Sequence, residues 1–164
     1  MKLVLASRNA HKIREMQQLL SALLPGEIEL LSLDDIGFSG EIEENGSSFD
    51  GETGFSGHND ERNNVKLLRE LSGTADGERT ARFVCAVALV LPGGDGFTVT
   101  GSCEGRILRE PQGSDGFGYD PLFYYDPLRK TFAELTPEEK NSVSHRSRAL
   151  SQFAKAWKER FFHD

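Results

Sequence analysis

The chain has 164 residues, 37% of them hydrophobic and 27% charged, the proportions of one ordinary soluble domain with a real core. A net charge of −7 argues against a protein that holds long nucleic acid by phosphate contacts, while a single nucleotide needs only a local group of cations. The apolar run after Met1-Lys2 is too short for a signal peptide and nothing approaches a membrane span, which excludes a membrane role. Cys85 and Cys103 lie in strand-like segments without metal-ligand spacing, so they read as buried reduced thiols of a cytoplasmic protein.

Residues 2–6 (Lys-Leu-Val-Leu-Ala) suit a short buried strand, which breaks into Ser7-Arg8-Asn9-Ala10-His11-Lys12. Ile13, Met16, Leu19, Leu20, Leu23 and Leu24 then recur at helical spacing until Pro25-Gly26. A strand running straight into a helix leaves the first helical N–H groups free, a natural anion site. Ser7, Asn9 and Lys12 lie where a phosphate would meet them; the alternative is a plain Ser/Asn cap beside a solvated lysine.

Residues 28–33 are a second strand candidate. The acidic run Glu41-Ile42-Glu43-Glu44 either solvates a loop or offers hard oxygen ligands to Mg²⁺. Residues 50–59 are turn chemistry without periodicity. Asp60 can cap a helix whose Val65, Leu68 and Leu71 or Leu67 face a core. Residues 81–91, almost continuously apolar, predict a central strand, and residues 97–103 its antiparallel hairpin partner.

Residues 116–126 (Gly-Phe-Gly-Tyr-Asp-Pro-Leu-Phe-Tyr-Tyr-Asp) pack aromatic rings and carboxylates between glycines. Such a run either fills a small core as an aromatic hairpin or presents a ring to a flat heterocycle. Thr136, Pro137 and Glu139 spell a capping box with proline at the first helical position. The helix is interrupted or restarted at 141–144, after which Leu150, Phe153, Ala154, Trp157 and Phe161 form an apolar stripe. Lys140, His145 and Arg146 cluster ahead of that stripe; positive charge there opposes the helix dipole, so an anionic partner would explain it.

Together these segments resemble the inosine triphosphate pyrophosphatase family, which hydrolyses noncanonical purine nucleoside triphosphates. Residues 5–12 resemble its N-terminal phosphate loop, and 43–49 its acidic metal-loop segment. Residues 63–68 (Asn-Asn-Val-Lys-Leu-Leu) resemble its Asn-Asn-x-x-Leu-Leu helix, and 116–121 its Gly-Phe-Gly-Tyr-Asp-Pro signature. Residues 132–140 and Ser144-His145-Arg146 are similar to its C-terminal motifs, so the matches run in order along almost the whole chain. The resemblance implies a single α/β domain over 1–164, with a mixed, partly antiparallel sheet flanked by helices. It implies a purine nucleoside triphosphate as substrate, Mg²⁺ as cofactor and a homodimer.

The same resemblance implies roles for particular residues. Ser7, Asn9, Lys12 and Lys140 would meet the phosphate chain, and Glu43 would be a metal ligand. Phe117, Gly118, Tyr119 and Asp120, with His145 and Arg146, would enclose the purine and read its six-position. One departure stands out: the family's Asp-Asp-Ser-Gly segment, whose aspartate is implicated as metal ligand and general base, occurs nowhere in this sequence. The chain passes from Phe49 through Asp50-Gly51-Glu52-Thr53-Gly54 directly to Phe55-Ser56-Gly57, which resembles the Tyr-Ser-Gly that normally follows the missing piece. The expectation is a deletion junction at 50–57, with one helix and at least one strand absent. Asp50 and Glu52 are then the nearby carboxylates, Asp50 the candidate for the base, on a glycine-flanked turn ill suited to hold it. The expected activity is an impaired pyrophosphatase; the alternative is an inactive nucleotide-binding or structural remnant.

Overall fold

Strands and helices alternate as the apolar spacing dictates in a computed structural model that describes residues 1–7, 9–40 and 60–162. The acidic segment with Glu43, the candidate base Asp50 and the 50–57 junction lie outside the described residues. The elements are β1 (Lys2–Val4), α1 (Ala10–Leu23), β2 (Glu29–Leu31), α2 (Asp60–Glu70), β3 (Thr80–Val90), β4 (Gly96–Ile107), β5 (Phe123–Tyr125), β6 (Lys130–Thr131), α3 (Pro137–Val143) and α4 (His145–Phe161). Two compact units emerge. The first comprises Met1–Asn45, Val84–Ser102 and Ser144–Asp164; the second comprises Gly46–Phe83 and Cys103–Val143.

The sheets are mixed, as expected of this α/β class. β1 pairs with β2 in parallel, Leu3 opposite Leu30. The larger sheet runs β3-β4-β5-β6. Its β4/β5 pair is antiparallel, Ile107 opposite Phe123, and so is β5/β6, Tyr124 opposite Thr131. A tight turn joins β3 to β4, closed by the Leu91 N–H donating to the Asp95 carbonyl at 2.7 Å. β3 differs from its sequence reading. It stands at the end of that strand order among the described residues, and Val84 and Val90 on its outer face are 59% and 73% exposed. A strand apolar on both faces reads as doubly buried; here only the alternate residues such as Val87 and Leu89 are packed.

In the first unit the apolar stripe of α4 behaves as its spacing predicts. Leu150, Phe153, Ala154 and Trp157 bury against Leu20 and Leu24 at the end of α1 and Leu89 of β3. Trp157 stacks on Phe153 at 6.0 Å and meets Phe161 at 4.4 Å. Each such fully buried side chain contributes about 1.5–3 kcal/mol. Ser144 starts α4 by accepting the Ser147 N–H at 3.1 Å, which explains the break after α3. α4 also comes very close to β4: a Cβ on Gly101 would collide with the Ala149 N and His145 O of its backbone. Gly101→Ala is therefore expected to cost about 1–3 kcal/mol, because backbone on backbone cannot yield as a side chain can. Urea unfolding checks this; an unchanged midpoint would mean that the helix can move away.

The second unit builds its core from aromatic rings. Phe123 lies 4.2 Å from Phe83 and edge-on to Phe132 at 4.9 Å, with Leu67, Leu122 and Leu135 around them. α2 turns Leu67 inward with Leu68 and Leu71, whereas Val65, expected in the core, is 62% exposed. Arg79 is buried at 3% exposure, and its guanidinium donates to the carbonyls of Leu71, Ile107 and Leu108. Three carbonyls thus satisfy a cation and tie the end of α2 to the end of β4. The capping box forms as spelled: the Thr136 N–H donates to Glu139 Oε2 at 2.9 Å, and the Glu139 N–H returns to Thr136 Oγ1 at 3.2 Å. Lys130 adds an ion pair at 2.8 Å, and its hydrogen bond, then the Thr136 N–H, holds the Glu139 carboxyl below its ordinary pKa. Among the described residues no helix is long and apolar enough to cross a membrane.

Candidate functional site

The loop of the second unit between β4 and β5 carries three glycines in the left-handed region, Gly113 at φ 79°, Gly116 at φ 81° and Gly118 at φ 63°. At Gly116 the reason is local, since any Cβ there would run into the Asp120 carboxylate. That carboxylate folds back under the loop at 3% residue exposure, its Oδ2 accepting the Phe117 N–H at 2.9 Å. The same oxygen accepts from Lys140 Nζ at 2.6 Å, in an ion pair whose side chains are 12% and 4% exposed. Lys140 also stands 5.1 Å over the Phe117 ring. Phe117, Gly118, Tyr119, Asp120 and Lys140, named from the sequence, thus form one connected group. Its hairpin reading holds too: Phe123 of the same run is core, while Phe117 is only half-buried.

Two residues of α2 join this group, and the sequence reading gave neither a part in it. Asp60 Oδ2 accepts the Gly118 N–H at 2.7 Å, and Asn64 Nδ2 donates to the Gly118 carbonyl at 3.1 Å. Asp60, expected to cap α2, therefore spends its carboxylate on another loop. The signal was present as an i, i+4 pair of short polar residues at the start of α2. Asn64 Oδ1 and the Tyr119 hydroxyl are buried polar atoms with no hydrogen-bond partner among the described residues. Burial, and secondarily the charge of Asp60, pushes the Tyr119 phenol above its ordinary pKa, so it stays a neutral donor.

The first unit holds the remaining named residues. Asn9 starts α1 and its Oδ1 accepts the N–H groups of His11 and Lys12 at 3.0 and 3.1 Å. Ser7 Oγ in turn accepts the Asn9 N–H at 3.2 Å. The His11 and Lys12 N–H groups at this turn are thereby satisfied within the chain, so Asn9 acts as a cap. Arg146 has an anionic partner in the protein itself: its Nε donates to Glu15 Oε2 at 2.8 Å, both side chains nearly buried at 10% and 13% exposure. Glu15 was missed because the two lie 131 positions apart. It shares a side of α1 with Lys12, one turn on.

Arg146 Nη1 stands 3.1 Å from His145 Nε2. Arginine can only donate, so that nitrogen accepts and the ring proton sits on Nδ1. Cys85 senses the same cluster. Burial pushes its thiol up, with Arg146 and Lys12 pulling it back and Glu15 adding to the rise. Both cysteines are free thiols. Among the described residues no group of three or more His, Cys, Asp or Glu side chains is placed to hold a metal ion.

Geometry of this kind defines an α/β protein with a glycine-hinged aromatic loop pinned by a buried Asp–Lys pair. A profile of the Ham1 family matches residues 3–54 and 51–156. A dITP/XTP pyrophosphatase of Geobacter sulfurreducens is 40% identical, over 92% of this chain and 93% of its own length. A dITP/XTP pyrophosphatase of Geobacillus kaustophilus is 52% identical over 62% of this chain, which spans half of that relative. The structure of a HAM1 protein from Coxiella burnetii superposes with a TM-score of 0.77 at 31% identity, covering 97% of this chain and 99% of that one. The chain belongs to the Ham1 family, the group of pyrophosphatase-like proteins that its motifs resemble.

Proposed function

We propose that this chain binds noncanonical purine nucleoside triphosphates such as ITP, XTP or dITP and splits them, slowly, to the monophosphate and pyrophosphate. The observation that carries the reading is the Phe117–Asp120–Lys140 group. It sets an aromatic ring beside a carboxylate whose position is fixed by a lysine and a backbone N–H. A ring of this kind stacks on a purine, and fixed polar groups beside it discriminate a six-keto base from adenine, whose mismatched donors would be left unpaired. Lys140 serves the purine end by holding Asp120. In the first unit, Ser7, Lys12 and the N–H groups that Asn9 now caps would meet the phosphates, and His145 and Arg146, steadied by Glu15, would also contact the nucleotide. The names of the relatives support the same substrate class.

In the reaction, water attacks the α-phosphorus and pyrophosphate leaves, a step accelerated by positioning and charge neutralisation. Mg²⁺, with Glu43 as a ligand, would supply charge neutralisation at the phosphates; the described residues contain no donor cluster of their own for it. Slowness follows from the absent Asp-Asp-Ser-Gly segment. A junction at 50–57 is supported by the two pieces of the family match, which meet at residues 51–54. It is also supported by an alignment of 188 positions that exceeds the 164 residues of the chain. The same absence favours the second reading, an inactive nucleotide-binding remnant. A homodimer in a reducing cytoplasm fits the family and the two free thiols. The test incubates the chain with ITP and Mg²⁺, identifies products by chromatography and measures mass by light scattering. IMP with pyrophosphate, from a dimer, is expected; phosphate with IDP would overturn the reaction assigned.

A further inference from the structure

We propose that Asp60, together with Asn64, is a positioning residue for the purine end of the site, acting through the Gly118 backbone; this rests on the purine-nucleotide reading above. The Gly118 N–H belongs to the peptide that follows Phe117, and the Gly118 carbonyl to the peptide that precedes Tyr119. Asp60 holds the first at 2.7 Å and Asn64 the second at 3.1 Å, so one helical turn of α2 fixes both peptides around a single glycine. That glycine needs fixing. It sits at φ 63°, and among the described residues nothing lies within 4 Å of where a Cβ would be, so no group packs against that side of it.

The consequence runs outward in both directions. Rotation about the first peptide would swing the Phe117 ring and the N–H that Phe117 gives to Asp120. Rotation about the second would shift Tyr119, whose buried hydroxyl feels the Asp60 charge. A carboxylate suits the task better than a neutral acceptor, since a charge-assisted bond to an N–H is the stronger kind. Among the described residues, the hydrogen bond of Asp60 to the loop is to backbone, and the apolar packing of α2 rests on Leu67 and its neighbours. A loop that is hinged at glycines and clamped from a helix keeps its ring oriented before the ligand arrives, which saves the ordering cost on binding.

The test measures binding of ITP and of inorganic tripolyphosphate, both with Mg²⁺, by calorimetry on the wild type, Asp60→Ala, Asp60→Asn and Asn64→Leu. Asp60→Ala is expected to weaken ITP about tenfold or more while tripolyphosphate stays within about twofold. Asp60→Asn keeps an acceptor oxygen and recovers most of the ITP affinity. Asn64→Leu keeps the helix and shows a smaller loss of the same selective kind, so it carries the test if Asp60→Ala melts early. Unchanged ITP affinity in Asp60→Ala, or equal loss of both ligands in every variant, overturns the positioning role while leaving the purine reading intact. A wild type that binds tripolyphosphate but not ITP removes the purine reading and this role with it.

Discussion

ITP hydrolysis by this chain is expected to run about 10²–10⁴-fold slower than in a full-length relative, with KM changed far less than kcat. The resemblance implies an aspartate, as metal ligand and general base, in the segment that this sequence lacks. Loss of a general base removes an interaction made in the transition state, whereas the aromatic loop and its buried ion pair, on the proposed reading, would act on bound substrate already. Within the second unit, Asp120 is engaged by Lys140 and the Phe117 N–H and Asp60 by Gly118; within the first, Glu15 is engaged by Arg146. Each is committed to a partner, and none is offered as a replacement base. Pyrophosphate release measured side by side with a full-length relative decides the matter. Equal kcat would mean that another carboxylate had taken over, and scanning Asp50 and Glu52 would then find it.

Lys140→Ala is expected to be the most destabilising single change in the second unit, by about 3–5 kcal/mol. Truncation leaves the Asp120 side chain, 4% exposed, holding a charge in a dry place with only the Phe117 N–H to meet it. The cost arises from the stranded carboxylate more than from the lost attraction. Asp120→Asn in the same background should therefore return a good part of the stability, and a double-mutant cycle by urea unfolding isolates that coupling. A loss under about 1 kcal/mol would place the pair in the class of weak surface bridges. Purine nucleotide affinity should fall with the same substitution, since Asp120 would lose the lysine that fixes its position.

Local chemistry was legible in the sequence wherever its signal lay within one turn. The stripe of α4, the break at Ser144 and the Thr136/Glu139 box all follow from residues three or four apart. Pairings at long separation were not legible. Asp60 has every mark of a helix cap, and only the arrival of Gly118, 58 positions away, shows where its carboxylate goes. Arg146 asked for an anion, and the sequence reading looked to a ligand where Glu15 of the chain supplies one. Lys140 and Asp120 were both named, for opposite ends of a nucleotide, because nothing in either segment says that they touch. For β3, apolar residues on both faces signalled double burial, which the described packing gives on one face only.

The Asn9 cap turns the start of α1 into a site with a tenant. Any anion arriving at this turn competes with the amide oxygen already seated on His11 and Lys12. Such a cap stabilises a helix by about 1 kcal/mol, so an incoming phosphate would bind about fivefold more weakly than the bare turn allows. In exchange, the helix keeps its first turn wound when no ligand is present. On the proposed phosphate reading, the amide would act as a built-in competitor, tethered at that turn and therefore independent of concentration.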